Sequence, residues 1–178
     1  GSSTSGERVL EQKQPGLYTV IWHPIGGQPR PETLAALGEM MQTIDGTELR
    51  LAPDETAYII NLTGAEAEKI LEATKETAQT KFETSVSCIG ASICRVGARD
   101  SQALLQACVK AVGEAQIPDG ALPQIHISGC PSSCGTHQTG PMGFRGGVRM
   151  ADGKAQPAFV FHLGGNEVQG KETMGREL

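Results

Sequence analysis

The sequence predicts an α+β protein built as two units, and three observations point there. Apolar positions in the first half switch between strand-like and helix-like spacing. The order in which they do so is β-α-β-β-α. All five cysteines lie after residue 87, so the two halves of the chain call for different explanations. Strands and helices in that order bury their apolar faces best as helices packed on one face of a mostly antiparallel sheet. The 178 residues are enough for one or two compact cores.

Taken in order, Leu17-Tyr18-Thr19-Val20-Ile21-Trp22 is β-branched and aromatic, with Pro15-Gly16 before it and Pro24 after it, and reads as a strand. Leu34, Leu37, Met40, Met41 and Ile44 recur at helical spacing, with Pro31 near the start and Gly46 just past the end. Thr47 to Leu51 and Thr56 to Leu62 read as two strands around the turn Ala52-Pro53-Asp54-Glu55. Thr63 is a suitable cap for a helix whose apolar positions are Ala67, Ile70, Leu71, Thr74 and Ala78.

In the second half, Asp100 or Ser101 opens a helix with Ala103, Leu104, Ala107, Cys108, Ala111 and Val112 on one face. Gln124 to Ser128 is a short strand. Gly143 to Met150 and Ala158 to Leu163 form a hairpin across Ala151-Asp152-Gly153-Lys154. The organisation expected is one unit at residues 15–80, a second at 81–165, and a polar tail at 166–178 with no clear pattern.

Composition narrows the function. Fifteen Lys and Arg against twenty Asp and Glu give a net charge of -5 with no basic stripe, which argues against nucleic acid or an anionic membrane as partner. No apolar run approaches the ~18 residues of a membrane span, and Gly1 to Gly6 does not resemble a secretory signal. A cytoplasmic location follows as the expectation. Glycine, at 23 residues, is about twice its usual share, while aromatics reach only 4%.

The cysteines carry the chemistry. Cys108 has Leu104 and Val112 as its i±4 neighbours, so it reads as a small buried hydrophobe. The other four form two pairs, Cys88 with Cys94 and Cys130 with Cys134, both in glycine- and serine-rich segments. Two disulfides, unrelated thiols or a zinc site are alternatives. A reducing compartment disfavours disulfides, and five residues between Cys88 and Cys94 exceed the usual zinc knuckle. Four thiolates are the expected ligand set of a [4Fe-4S] cluster, which makes Cys88, Cys94, Cys130 and Cys134 the candidate metal ligands. Cys130 is expected to cap a helical turn with Pro131 at its first position, so that Cys130 and Cys134 project from one face. Gly90, Gly129 and Gly135 leave the backbone free to approach sulfur.

Cys88-x5-Cys94, then roughly thirty-five residues, then Cys130-Pro131-x-x-Cys134-Gly135, resembles the signature of the sirohaem-dependent sulfite and nitrite reductases. Ile127-Ser128-Gly129 before the second pair and Met142-Gly143-Phe144-Arg145-Gly146 after it agree. The preceding β-α-β-β-α unit resembles the ferredoxin-like half-domain of the same enzymes, and residues 81–165 their α/β cluster-binding domain. The likeness extends over roughly residues 15–165. Two positions depart from the family pattern: Ser132 stands where Asn is frequent, and Ile89 where Pro is common.

The resemblance implies an oxidoreductase with two cofactors, a [4Fe-4S] cluster and sirohaem, in which one thiolate, Cys134 by position, also ligates the sirohaem iron. Ser132, Arg95, Arg145 and His137 are the further candidates for cofactor contact. Arg99 and Arg149 are weaker cations, and His126 and His162 read as packing residues. The substrate implied is sulfite or nitrite, and the electron donor a ferredoxin, rubredoxin or flavoprotein. The family is built from two copies of half-domain plus cluster-type domain, whereas this chain holds one, similar to the C-terminal, cluster-bearing copy. A missing N-terminal half or partner subunit is therefore implied, with the isolated chain inactive. The alternative is a non-catalytic Fe–S electron-transfer or sirohaem-binding module acting as a dimer.

Overall fold

The computed structural model describes residues 3–178. Two compact units divide the chain, one ending at Ala78 and the other spanning Gln79–Leu178.

The first unit is a four-stranded antiparallel sheet in the order β1-β2-β4-β3. Its strands are β1 (Val9–Glu11), β2 (Tyr18–Trp22), β3 (Glu48–Leu51) and β4 (Ala57–Leu62), and its helices are α1 (Pro31–Met41) and α2 (Gly64–Ala73). The β-α-β-β-α order is present, with β1 added in front. That strand is three residues long and mostly exposed, and so carries almost no alternation to read. Val20, Trp22, Leu37, Ile59, Leu62, Ala67 and Ile70 form the core. Thr63 caps α2 in a reciprocal box: its backbone N–H and its hydroxyl both donate to Glu66 Oε2 at 2.7 Å. These bonds, the hydroxyl first, hold the Glu66 carboxyl below its usual range.

Both helices stop short of their apolar patterns. After α1, Ile44 is buried but lies past the helix end, where the Thr43 hydroxyl turns back to Met40 O at 2.7 Å. After α2, the Thr74 hydroxyl bonds Ile70 O and accepts from Arg8 Nη2. The next residues then run beside β2, where Trp22 Nε1 donates to Glu76 O and Ala78 N to His23 O. Tertiary hydrogen bonds to β2 outcompete a further helical turn.

The second unit is a five-stranded mixed sheet in the order β5-β6-β7-β8-β9. Strands β5 (Val86–Ser87), β6 (Ile125–Ser128) and β7 (Met142–Ala151) are parallel, while β8 (Lys154–Leu163) and β9 (Arg176–Glu177) continue antiparallel. The β7–β8 hairpin is longer than its apolar residues suggest, pairing through to Ala151 and Lys154. Asp152 and Gly153 take φ of 52° and 71°, as a two-residue type I′ turn requires. The polar tail has structure after all: Asn166 bridges Thr173, and β9 pairs with the end of β8.

Helix α3 (Ser101–Glu114) connects β5 to β6, and the Asp100 carboxylate caps it by accepting from Ala103 N at 3.0 Å. Its buried face differs from the predicted one. Ser101, Gln102 and Leu105 are buried, whereas Ala103, Ala107 and Ala111 are exposed. Alanine suits either face of a helix, so three of them blurred the stripe. Among the described residues no helix is long and apolar enough to cross a membrane.

Candidate functional site

Strands β5 and β6 bring the two cysteine pairs together. Ser87 pairs with Ile127 in the parallel register, Cys88 follows β5 directly, and Cys130 follows β6 after Gly129. The Cys88 amide continues the ladder by donating to Ile127 O at 3.0 Å. Carboxyl ends of adjacent parallel strands are where open α/β sheets place their ligand sites.

A cavity of about 200 Å³ lies at these ends, lined by Cys88, Cys94, Cys130 and Cys134 together with Ser132 and backbone from Gly90, Gly97 and Gly129. All five cysteines of the chain are unpaired thiols. Among the described residues, no three His, Cys, Asp or Glu side chains stand close enough to hold one metal ion. The four thiols border this one cavity.

Several donors address the sulfurs. Gly129 N–H donates to Cys88 Sγ at 3.1 Å, and the Ser101 hydroxyl lies 3.2 Å from the same sulfur. The Ser132 hydroxyl, with help from its backbone N–H, pulls the Cys130 thiol below its ordinary pKa. Cys130 is buried and Cys134 exposed. Cys108, off the cavity, is only half-buried, and desolvation pushes its thiol up.

Glycine permits the close packing of these loops. A Cβ on Gly135 would lie 2.0 Å from Ile127 O, and one on Gly129 would lie 2.6 Å from Arg99 O. Gly90 has φ of 66° and would press a Cβ within 2.4 Å of Ser101 Oγ.

The segment after Cys130 departs from expectation. Residues 131–139 form turns, with no helix at Pro131. Ser133 and Thr136 adopt φ of 63° and 51°, and the Ser133 hydroxyl donates to Gln138 Oε1. Left-handed residues at those two positions are incompatible with a helix. The dipole of a helix starting at Pro131 therefore cannot act on these thiols.

Of the other predicted contacts, Ser132 lines the cavity, while Arg95, Arg145 and His137 do not. Arg95 is exposed. Arg145 pairs with Glu177 Oε2 at 3.2 Å, on a partner that belongs to the tail. His137 is almost fully buried, edge-on to His162 with ring centroids 4.9 Å apart. Arg99 and Arg149 also lie outside the lining. A second cavity, of about 240 Å³, lies near the end of α3 and contains no cysteine. Its carboxylates are already taken: Glu83 accepts from Gln79 N and Thr80 N, and Asp119 from Lys81 N.

His137 gives this unit an acid sensitivity. Burial, then the neighbouring His162 and Arg145, push its pKa down to about 4, with Glu177 opposing. The neutral ring is therefore favoured on folding, and the unfolded chain binds the extra proton first. Stability is full above the unfolded value near ~6.5 and falls as the pH drops towards 4. The melting midpoint should be lower by about 3 °C or more at pH 5 than at pH 7. In His137→Asn that difference should shrink, which thermal scans at the two pH values will check.

The fold and the sequence together define the class: the homologues of this chain are sulfite and nitrite reductases, and the chain corresponds to one portion of them. The sulfite reductase [ferredoxin] 1 of Mycolicibacterium paratuberculosis is 24% identical over 174 residues, covering 92% of this chain and 31% of that protein. The ferredoxin–nitrite reductase of Synechococcus elongatus is 28% identical over 170 residues, covering 88% and 31%. Among solved structures, the NirA protein of Mycobacterium tuberculosis matches with a TM-score of 0.76 at 23% identity, over 96% of this chain and 33% of that one. Dissimilatory sulfite reductase I matches at 0.64 and 12% identity, over 91% and 57%. No family model matches the chain. The chain thus spans about a third of the length of the curated relatives.

Proposed function

We propose that this chain is the cluster-holding, C-terminal portion of a sulfite or nitrite reductase, with residues 81–165 as the cofactor-binding part and residues 15–80 as its ferredoxin-like companion. The observation that carries this reading is the convergence of Cys88, Cys94, Cys130 and Cys134 on one cavity at the carboxyl ends of β5 and β6. The residues present fit a [4Fe-4S] cluster. They offer four free thiols, glycines that let backbone approach, and N–H and O–H donors already aimed at sulfur. When bound, such a cluster supplies storage and transfer of single electrons, and sirohaem supplies the iron at which the anion is reduced.

The chain's own residues hold and shield. Cys130 is the buried thiol, and the Ser132 hydrogen bonds favour its thiolate form, while Cys88 accepts from Gly129 N–H. Cys134 is the exposed thiol, and we assign it the contact with sirohaem iron, with Ser132 beside it. The relatives are about three times longer, so sulfite or nitrite binding is assigned to a missing half or partner subunit. A ferredoxin, rubredoxin or flavoprotein would deliver the electrons. Free thiols and the ligand set suit the cytoplasm.

Anaerobic reconstitution with iron and sulfide tests the reading. About four irons and four sulfides per chain are expected, with a visible absorbance band that bleaches on reduction. Added sirohaem should bind only when the complementary portion of the protein is supplied. Iron without sulfide, or zinc at one per chain, would overturn the proposal. Tight sirohaem uptake by the isolated chain as a dimer would point to the non-catalytic module instead.

A further inference from the structure

Ser101 is the first residue of α3 and has no exposed surface. Its side chain points away from the helix, into the space between Cys88 and the glycine backbone of the cavity wall. The Oγ atom lies 2.7 Å from Cys88 O and 3.2 Å from Cys88 Sγ. The backbones of Gly90 and Gly129 pass close on either side, so that a Cβ on Gly90 would meet it at 2.4 Å and one on Gly129 at 3.5 Å. Only backbone without side chains leaves room there for the hydroxyl beside the sulfur.

A serine hydroxyl has one proton to give. With a free thiol at position 88, the S–H donates to Oγ and the hydroxyl donates to Cys88 O. A metal-bound sulfur is an acceptor only, so a contact of 3.2 Å to it is favourable only when the hydroxyl turns its proton to sulfur. The carbonyl is not abandoned when this happens, because Gln102 Nε2 donates to Cys88 O at 3.2 Å as well as to Ser87 O at 3.0 Å. Gln102 is itself buried, in the first turn of the same helix. Two consecutive residues of α3 thus hold one proton each over the Cys88 peptide, and only Ser101 is able to redirect its own.

We propose that Ser101 is a positioning residue for the cluster proposed above: its hydroxyl switches from Cys88 O to Cys88 Sγ when the sulfur ligates metal, and so raises the reduction potential. The inference rests on the cluster reading. A donor to a ligand sulfur stabilises added negative charge, which favours the reduced state. Together with Gly129 N–H at 3.1 Å, it would give Cys88 two donors, as Ser132 gives Cys130.

The test compares reconstituted wild-type chain with Ser101→Ala and Ser101→Thr. Alanine is smaller than serine and a better helix former, and the Asp100 cap to Ala103 N is untouched, so folding should survive. Expected are cluster uptake by all three chains under excess iron and sulfide, a more negative midpoint potential for Ser101→Ala, and a wild-type potential for Ser101→Thr, which keeps the hydroxyl. A merely structural role would lower thermal stability without moving the potential. Equal potentials in wild type and Ser101→Ala overturn the proposal, as does the same shift in both variants. Failure of every chain, wild type included, to take up iron and sulfide defeats the cluster reading itself, and this proposal with it.

Discussion

Replacing any one of Cys88, Cys94, Cys130 or Cys134 by serine should abolish stable cluster binding in the reconstituted chain, while Cys108→Ser should leave it intact. The four line one cavity, and Cys108 sits on α3 outside it. Loss of a residue that merely supports a metal ligand typically weakens binding about 10–100-fold. Loss of a ligand itself should exceed that, because a serine hydroxyl is a poor substitute for a soft thiolate. Iron and sulfide analysis after gel filtration under anaerobic conditions measures the outcome. The effect on the apo fold should be graded by position. Cys88→Ser and Cys130→Ser also leave protein donors, Gly129 N–H and Ser132, without their sulfur. Cys134→Ser changes an exposed position, so it should disturb the apo fold least. Full iron content in any of these four variants would show that the thiol in question is not a ligand.

The cysteine pairs were legible because thiols, glycine and proline at such spacings have few other uses, and their convergence needed only that Ser87 and Ser128 end neighbouring strands. The hairpin was legible from Asp152-Gly153 and the apolar residues on either side, but its length was not, because the second strand runs on through exposed residues to Lys154. Ser101 was legible only as the opening of a helix. Its approach to Cys88 is set by the way α3 packs behind β5, a contact thirteen positions apart that no local pattern announces. The Cys130-Pro131 sequence misled for a related reason. It carries a helix-start signal, but the hydroxyls and the left-handed backbone of the next residues hold a chain of turns. Arg145 and His137 lie close to the motif in sequence, yet β7 carries Arg145 to Glu177, and the turns after Cys134 set His137 against His162 of β8. Short strands such as β1, β5 and β9 are too brief to show a period and exist through their partners. The expectations of a second cofactor and of a further half came from the resemblance to the reductases, since spacing alone carries neither.

Gly135→Ala should cost this unit about 3 kcal/mol or more and prevent the proposed cluster from assembling on reconstitution. The position does not need glycine for its backbone angle, since its φ is not in the left-handed region. It needs glycine for space. A Cβ there would stand 2.0 Å from Ile127 O and 3.2 Å from Cys88 N, the two atoms whose 3.0 Å hydrogen bond joins the first cysteine segment to β6. Neither atom belongs to a flexible side chain, so relief has to come from moving a backbone segment. Either the Cys134–Gly135 turn lifts away, or the bond between Cys88 N and Ile127 O opens. Both movements change the separation between the two thiol pairs, and the first also breaks the bond from Gly135 N–H to Ser128 Oγ. At about 4–8 °C per kcal/mol for a unit of this size, the melting midpoint should fall by about 12 °C or more. Gly113→Ala is the matched control. It lies in α3 with open space around its position, so alanine should stabilise the helix by about 0.5–1 kcal/mol and leave cluster content unchanged. Thermal melts and iron content of the two variants, prepared side by side, separate a general intolerance of substitution from a specific collision at the thiol cavity. Wild-type melting and iron content in Gly135→Ala would mean that the turn after Cys134 is not packed against β6 as described.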